Sequence, residues 1–240
     1  MSTAAAPSTF DPSRLAGLPA PVARYLAFAL SPGQRIVARA HLRSSGTFAT
    51  KPNAWAPFTA EQEVRTEPPE FVWHARIAML PLIPVRVRDR YVGGEGSMRA
   101  AVAGLVSIVN QHGTPEMAAA SLQRFLAEAA WYPTVLLPGE ALSWSAIDDR
   151  TARVMLTDGP TTVSLDVTFG SAGEIETVST MRYRDVKGTP VLTPWVGHHG
   201  DYQRLNGMMI PTSGEVAWVL PTGREPYWRG RLVSAMFDWR

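Results

Sequence analysis

The chain has 240 residues, of which 45% are hydrophobic and 18% charged, with a formal net charge of +2. That is ample apolar side chain for a core and excludes a disordered chain, while the absence of cysteine excludes a disulfide framework, a thiolate nucleophile and Cys-ligated zinc. The cations are nearly all Arg, with Lys only at Lys51 and Lys187; so small a charge excess is not a nucleic-acid footprint, and no segment approaches the roughly 18–20 continuous apolar residues of a membrane-spanning helix.

In chain order, MSTAAAPSTFDPSR lacks a basic patch before an apolar core, so it does not read as a signal peptide. Residues 1–17 are expected to form a flexible leader, followed by one β-rich domain over 18–240 in a cytoplasmic protein. Pro21 suits a first helical turn, and Val22, Tyr25, Leu26 and Leu30 recur at helical spacing before Ser31-Pro32-Gly33 stops the helix. Strands follow with period-two alternation: Ile36 to Arg43, Phe58 to Arg65, Phe71 to Ile77 and Val85 to Tyr91, then Ser97 to Val109 after a glycine turn. Thr114 is a good N-cap, Pro115 fits the first helical position and Glu116 suits the positive helix end. The helix it opens buries Met117, Leu122, Phe125, Leu126 and Ala129 and ends at Trp131-Tyr132-Pro133. Seven strand signals then run from Ala141 to Phe237, separated by clusters such as Asp158-Gly159-Pro160. The pattern predicts an α+β fold: a strongly curved antiparallel β-sheet, half-barrel or open barrel, of about ten strands with two main helices (20–30 and 115–130) packed on it. The space between helix and sheet is where such folds keep a ligand.

Polar residues interrupt the inward rows. Gln62 sits among Phe58, Ala60 and Val64, and Asp89 among Val85, Val87 and Tyr91. A buried carboxylate needs a partner, so Asp89 either meets an arginine or faces a wet cavity. Arg124 and Glu128 lie four apart on the helix: either a solvated ion pair, or Glu128 turned toward the sheet as a general acid or base beside Trp131. Gly197-His198-His199-Gly200-Asp201-Tyr202 gathers potential metal ligands, yet adjacent histidines on a strand point to opposite faces and the wider ligand spacing is missing, so neither metal nor cofactor is expected. Arginines repeat at strand spacing: Arg35, Arg39 and Arg43; Arg86, Arg88 and Arg90; Arg182 and Arg184; Arg229 and Arg231. On one face they would attract an anionic membrane; paired across strands with Glu61, Glu63, Glu67 and Glu176 they would not. Eight tryptophans, Trp73 and Trp218 among them, supply core or pocket wall. There is no G-x-S-x-G elbow, Walker A loop or H-E-x-x-H, and Gly94-Glu95-Gly96 lacks the rest of a dinucleotide fingerprint.

The opening Leu18-Pro19-Ala20-Pro21-Val22-Ala23-Arg24-Tyr25-Leu26 resembles that of an uncharacterised bacterial domain-of-unknown-function family, as does the helix motif from Arg124 through Trp131-Tyr132-Pro133 to Leu136-Leu137-Pro138. Pro194-Trp195, Ile210-Pro211 and Tyr227-Trp228-Arg229-Gly230 match too, so the resemblance spans about residues 18 to 234; the paired histidines fall outside the pattern. It implies no established activity. It does imply a curved antiparallel sheet similar to that of periplasmic lipoprotein carriers, which hold acyl chains between sheet and helices.

The expected function is binding of a hydrophobic or amphipathic, lipid-like small molecule, with Gln62, Trp73, Tyr91, Arg124, Trp131, Arg182, Tyr202 and Trp218 as ligand-binding candidates. Two alternatives stay open: an enzyme doing acid–base chemistry on such a molecule through Glu128, Asp89 or His199, and a structural protein with a filled core. Peripheral contact with an anionic membrane is the further partner the arginines allow; no nucleic acid is expected.

Overall fold

The computed structural model describes residues 9–51, 54–80, 83–102 and 106–240. Two helices, α1 (Ala20–Ala29) and α2 (Pro115–Ala127), accompany thirteen strands among the described residues. These are β1 (Val37–Lys51), β2 (Ala54–Arg65), β3 (Glu70–Leu80), β4 (Ile83–Val92), β5 (Glu95–Val102), β6 (Val106–His112), β7 (Leu142–Ala146), β8 (Thr151–Asp158), β9 (Thr161–Phe169), β10 (Ile175–Val186), β11 (Thr189–Leu205), β12 (Met208–Leu220) and β13 (Gly223–Trp239). All belong to one antiparallel sheet in the order β6-β5-β4-β3-β2-β1-β13-β12-β11-β10-β9-β8-β7. The expectation of about ten strands is therefore too low. Ser97 to Val109 is not one strand: it belongs to a β5–β6 hairpin in which Ala100 faces Val109, with residues 103–105 outside the described ones. The first strand also does not stop at Arg43. A register shift between Arg43 and Ser44 carries β1 past Gly46 to Lys51.

The first and last strands pair at the centre of the sheet, and the chain works outward from them to β6 and β7. The segment between β6 and β7 contains α2, so α2 has to connect the two edges. So many strands cannot stay in a flat sheet; their twist curls it. The curl brings the two arms together, with the Tyr91 hydroxyl donating to Asp158 Oδ2 (2.7 Å) and Gln111 Nε2 to Asp185 Oδ2 (2.6 Å). α2 packs on β5 and β4 with one side and on β9 and β10 with the other. Its contact with β5 depends on Gly96, where a β-carbon would lie 2.4 Å from the Met117 carbonyl oxygen and 2.6 Å from Ser121 Oγ.

A second set of glycines shapes the centre. Gly46, Gly230 and Gly214 stand side by side on β1, β13 and β12, in register with His199 on β11. A β-carbon on Gly46 would meet the Arg229 carbonyl oxygen at 2.0 Å, and one on Gly230 would meet the Trp228 ring at 2.2 Å. The bare row lets the strands bend closely and lets the Trp228 indole lie along the inner wall.

The helices form as expected. Thr114 Oγ1 accepts the Met117 N–H at 3.2 Å to cap α2. Its end tightens into 3₁₀ turns at Glu128–Trp131 and Pro133–Leu136. α1 buries Val22, Tyr25 and Leu26 near the β8 and β12 side of the sheet, away from α2. The segment expected as a leader carries structure from Thr9 onward: Phe10 is buried, its N–H donates to the Gln34 carbonyl at 2.7 Å, and Asp11 caps a 3₁₀ turn at Pro12–Leu15. Phe10 supplies the apolar anchor there; residues 1–8 lie outside the described ones.

Candidate functional site

The inner face of the sheet and α2 enclose a cavity of about 440 Å³. Its wall is mostly apolar: Trp73, Ile77 and Val85 on one arm, Phe48 and Trp228 at the centre, Val178 and Trp195 on the other arm, and Trp131 below the end of α2. Strand register puts these side chains level with one another, since Val85 faces Ile77, Phe48 faces Trp228, Trp228 faces Val216 and Gly197 faces Val178. The aromatic rings touch. Trp131 and Trp228 lie 6.4 Å apart by centroids and Phe48 and Tyr227 6.1 Å.

Two polar groups interrupt this wall. The first is on the β4 side. Arg124 Nη1 donates to Asp89 Oδ2 at 2.6 Å and Arg124 Nε to Glu128 Oε1 at 2.8 Å, while Gln62 Nε2 donates to Glu128 Oε2 at 2.6 Å. The guanidinium also lies 4.9 Å from the Phe71 ring centroid and 4.8 Å from that of Trp73. Burial works against its charge, but the Glu128 and Asp89 carboxylates outweigh this and hold it above the usual arginine value. The Arg124–Glu128 pair is thus not a solvated surface pair: both side chains are only 16% exposed, because α2 turns this stripe toward the sheet.

The second group is on β10 and β13. Arg182 lies over the Trp195 ring at 5.4 Å, and its Nη1 reaches the Tyr227 hydroxyl at 3.3 Å. Its Nη2 donates to the Ala120 carbonyl of α2 at 3.1 Å. Trp195 Nε1 donates to the same hydroxyl at 2.8 Å.

His199 lines the cavity on the glycine rung. Burial pushes its pKa down to about 4; a contact with the Ala127 carbonyl works the other way and neighbouring His198 adds to the depression. The ring is neutral at pH 7, and its Nδ1 is buried without a hydrogen-bond partner among the described residues. His198 is exposed, close to Glu215 and Arg224. Among the described residues no three His, Cys, Asp or Glu side chains gather as a metal site would require.

Of the residues singled out in the sequence, Trp73, Asp89, Arg124, Glu128, Trp131, Arg182 and His199 meet at this cavity. Four do not line it. Gln62 stands behind Glu128 and orients it. The fully buried Tyr91 directs its hydroxyl to Asp158 in the seam between the arms. Tyr202 donates to the Ile175 carbonyl at 2.9 Å and packs edge-on against Phe28 of α1, in the other part of the core. Trp218 stacks on Tyr227 at 5.6 Å, one layer behind the wall. Phe48, Trp195, Tyr227 and Trp228 line the cavity without having been among the ligand-binding candidates, although Trp195 and Trp228 are two of the eight tryptophans expected in core or pocket wall. Gly46 and Phe48 continue the inward alternation of Leu42, which is the signal that could have found Phe48.

The arginine rows do not share one face. Arg182 turns inward, while Arg43 pairs with Glu61 (3.1 Å), Arg229 with Glu215 (2.5 Å) and Arg231 with Asp201 (2.9 Å). The outer face of β3–β5 differs. There Arg76 stands opposite Arg86, and Arg88 opposite Arg99, all four exposed and without an ion pair among the described residues.

No described helix is long and apolar enough to cross a membrane. A solved structure, the LolA superfamily protein NE2245 from Nitrosomonas europaea, is similar at 9% identity over 91% of this chain and 92% of that one, with a TM-score of 0.47. No curated protein sequence matches. The model of the family of unknown function DUF6920 matches residues 16–237, which covers both helices and all of the sheet but the last two residues of β13, and the chain belongs to that family.

Proposed function

We propose that the protein binds a hydrophobic or amphipathic, lipid-like small molecule between the curved sheet and α2. The observation that carries this reading is the cavity itself: about 440 Å³ with a wall largely of aromatic and aliphatic side chains, inside the range of small-molecule sites. Interiors that serve only as cores pack as densely as organic crystals and leave few voids larger than a water molecule. A filled-core structural protein therefore fits the molecule less well.

Acid–base catalysis is the second reading, and one observation favours it. His199, which lines the cavity, is neutral at pH 7, and a neutral imidazole can take up a proton as a base must. The carboxylates speak against the rest of that reading, because Asp89 and Glu128 are both held by Arg124. Peripheral contact with an anionic membrane is supported by the unpaired arginines on the outer face of β3–β5.

A titration with a fluorescent fatty-acid analogue tests the binding reading. Trp131 lines the cavity and is only 7% exposed, so the probe should quench or shift its emission. Trp131→Ala should weaken binding more than folding. If Trp131 only fills a core, the change costs about 3–5 kcal/mol of stability and the wild type binds no probe; that result removes the carrier and enzyme readings together. Chemical conversion of the bound molecule, seen by mass spectrometry and lost in His199→Asn, would move the assignment to an enzyme.

A further inference from the structure

The cavity's carboxylates and its two arginines are not matched alike. Asp89 and Glu128 share Arg124, and Glu215 at the wall is held by Arg224 and Arg229. Arg182 makes no ion pair among the described residues, and both of its hydrogen-bond partners, the Tyr227 hydroxyl and the Ala120 carbonyl, are neutral. Its Nε is buried with no partner among the described residues. A guanidinium in an apolar wall without a counter-charge is costly unless something supplies one.

The neighbouring groups point the same way. The Tyr227 oxygen accepts from both Trp195 Nε1 and Arg182 Nη1, which uses its two lone pairs and leaves its own O–H to donate elsewhere. A guanidinium N–H can only donate. Two donors on this wall, the Tyr227 hydroxyl and the Arg182 guanidinium, thus await acceptors, and one of them carries charge.

Building on the binding reading above, we infer that the ligand is an anionic amphiphile: its carboxylate or phosphate-monoester head pairs with Arg182 and accepts from the Tyr227 hydroxyl, and its hydrocarbon lies against Trp131, Trp228 and Phe48. The planar guanidinium fork suits either oxyanion. The wall fixes the polarity of the ligand, with the head on the β10–β13 side and the tail toward the glycine-lined centre.

The test compares ligands of one chain length that differ only in the head: a fatty acid, the matching alcohol, the primary amine and the alkyl phosphate, each titrated by calorimetry. The acid or the phosphate should bind about 10- to 100-fold tighter than the alcohol, as a charge-assisted hydrogen-bonded head would. The tighter of the two names the head. Arg182→Gln should collapse that ratio toward one, and Tyr227→Phe should shrink it less. If Arg182→Gln melts well below the wild type, Arg182→Lys, which keeps the charge without the fork, serves in its place and should retain only part of the ratio. Equal binding of acid and alcohol, tighter binding of the amine, or an unchanged ratio in the Arg182 variants overturns the anionic head and leaves the cavity reading standing. Failure of all four ligands to bind overturns both.

Discussion

At the scale of residues, the inner wall is set by which polar groups find partners. Gln62, Asp89, Arg124 and Glu128 close on one another, so the two carboxylates serve as anchors for α2 rather than as free acids. The sequence already marked these positions, because a polar residue inside an alternating apolar row must either pair or face a site; it could not show that one arginine would serve both acids, since Arg124 reaches Asp89 only across the fold. His199 carries a consequence for pH. Its folded pKa, about 4, lies below the ordinary 6.5, so between these values the unfolded chain binds the proton and the folded one resists it. The contribution is complete above about pH 6.5 and is lost progressively as the pH falls toward about 4. Urea melts at pH 7 and pH 5 should show the wild type losing stability on acidification, and His199→Asn losing distinctly less. Equal losses in the two proteins would mean that the histidine is not held neutral in the wall.

At the scale of elements, local signals sufficed where they were strong. Both helices were legible from their prolines, caps and apolar stripes, and most strands from alternation. The β5–β6 hairpin was not, because the alanine- and valine-rich stretch of residues 101–109 offers only a lone glycine, Gly104, which inside a strand pattern reads as a bulge as readily as a turn, and periodicity alone cannot divide it. Nor was the run of β1 past Ser44-Ser45-Gly46, which reads locally as a break; Gly46 is there because the Arg229 backbone crosses too closely for any side chain. The outer face of β3–β5 follows from pairing that no local pattern records. Like charges directly opposite destabilise a sheet, and Arg76 facing Arg86 beside Arg88 facing Arg99 is such an arrangement. An anionic surface would relieve it. Co-sedimentation with vesicles containing phosphatidylserine should therefore show binding that weakens steeply from low to physiological salt, since exposed charges are screened over about 8–10 Å. Replacing Arg76 and Arg86 together with Gln should reduce it. Vesicle binding that ignores salt, or that survives the double replacement, would remove the membrane contact from the proposal.

At the scale of the whole molecule, the decisive feature is that the first and last strands, β1 and β13, pair while the segment carrying α2 joins the far edges β6 and β7. This pairing was beyond the sequence. Curvature and a helix across it were legible, but Tyr227 and Trp228 reach the cavity only because β13 comes back beside β1, some 180 residues later in the chain. The same closure makes the cavity a single compartment bounded by both arms, so whatever occupies it should stabilise the molecule as a unit. A ligand that binds only the folded state at about 100 times its dissociation constant adds about 2.7 kcal/mol. For a domain of this size, that raises Tm by about 5–10 °C. Thermal melts with a long-chain fatty carboxylate should show this rise as one cooperative transition. Ala100→Phe, which places a ring on the β5 wall, should blunt the rise without lowering the ligand-free Tm by a comparable amount, because it fills space rather than breaking a contact. A wild-type Tm unmoved by saturating carboxylate, alcohol and phosphate amphiphiles would show that the cavity takes no such ligand, and the protein would then be a scaffold whose interior is closed to exchange.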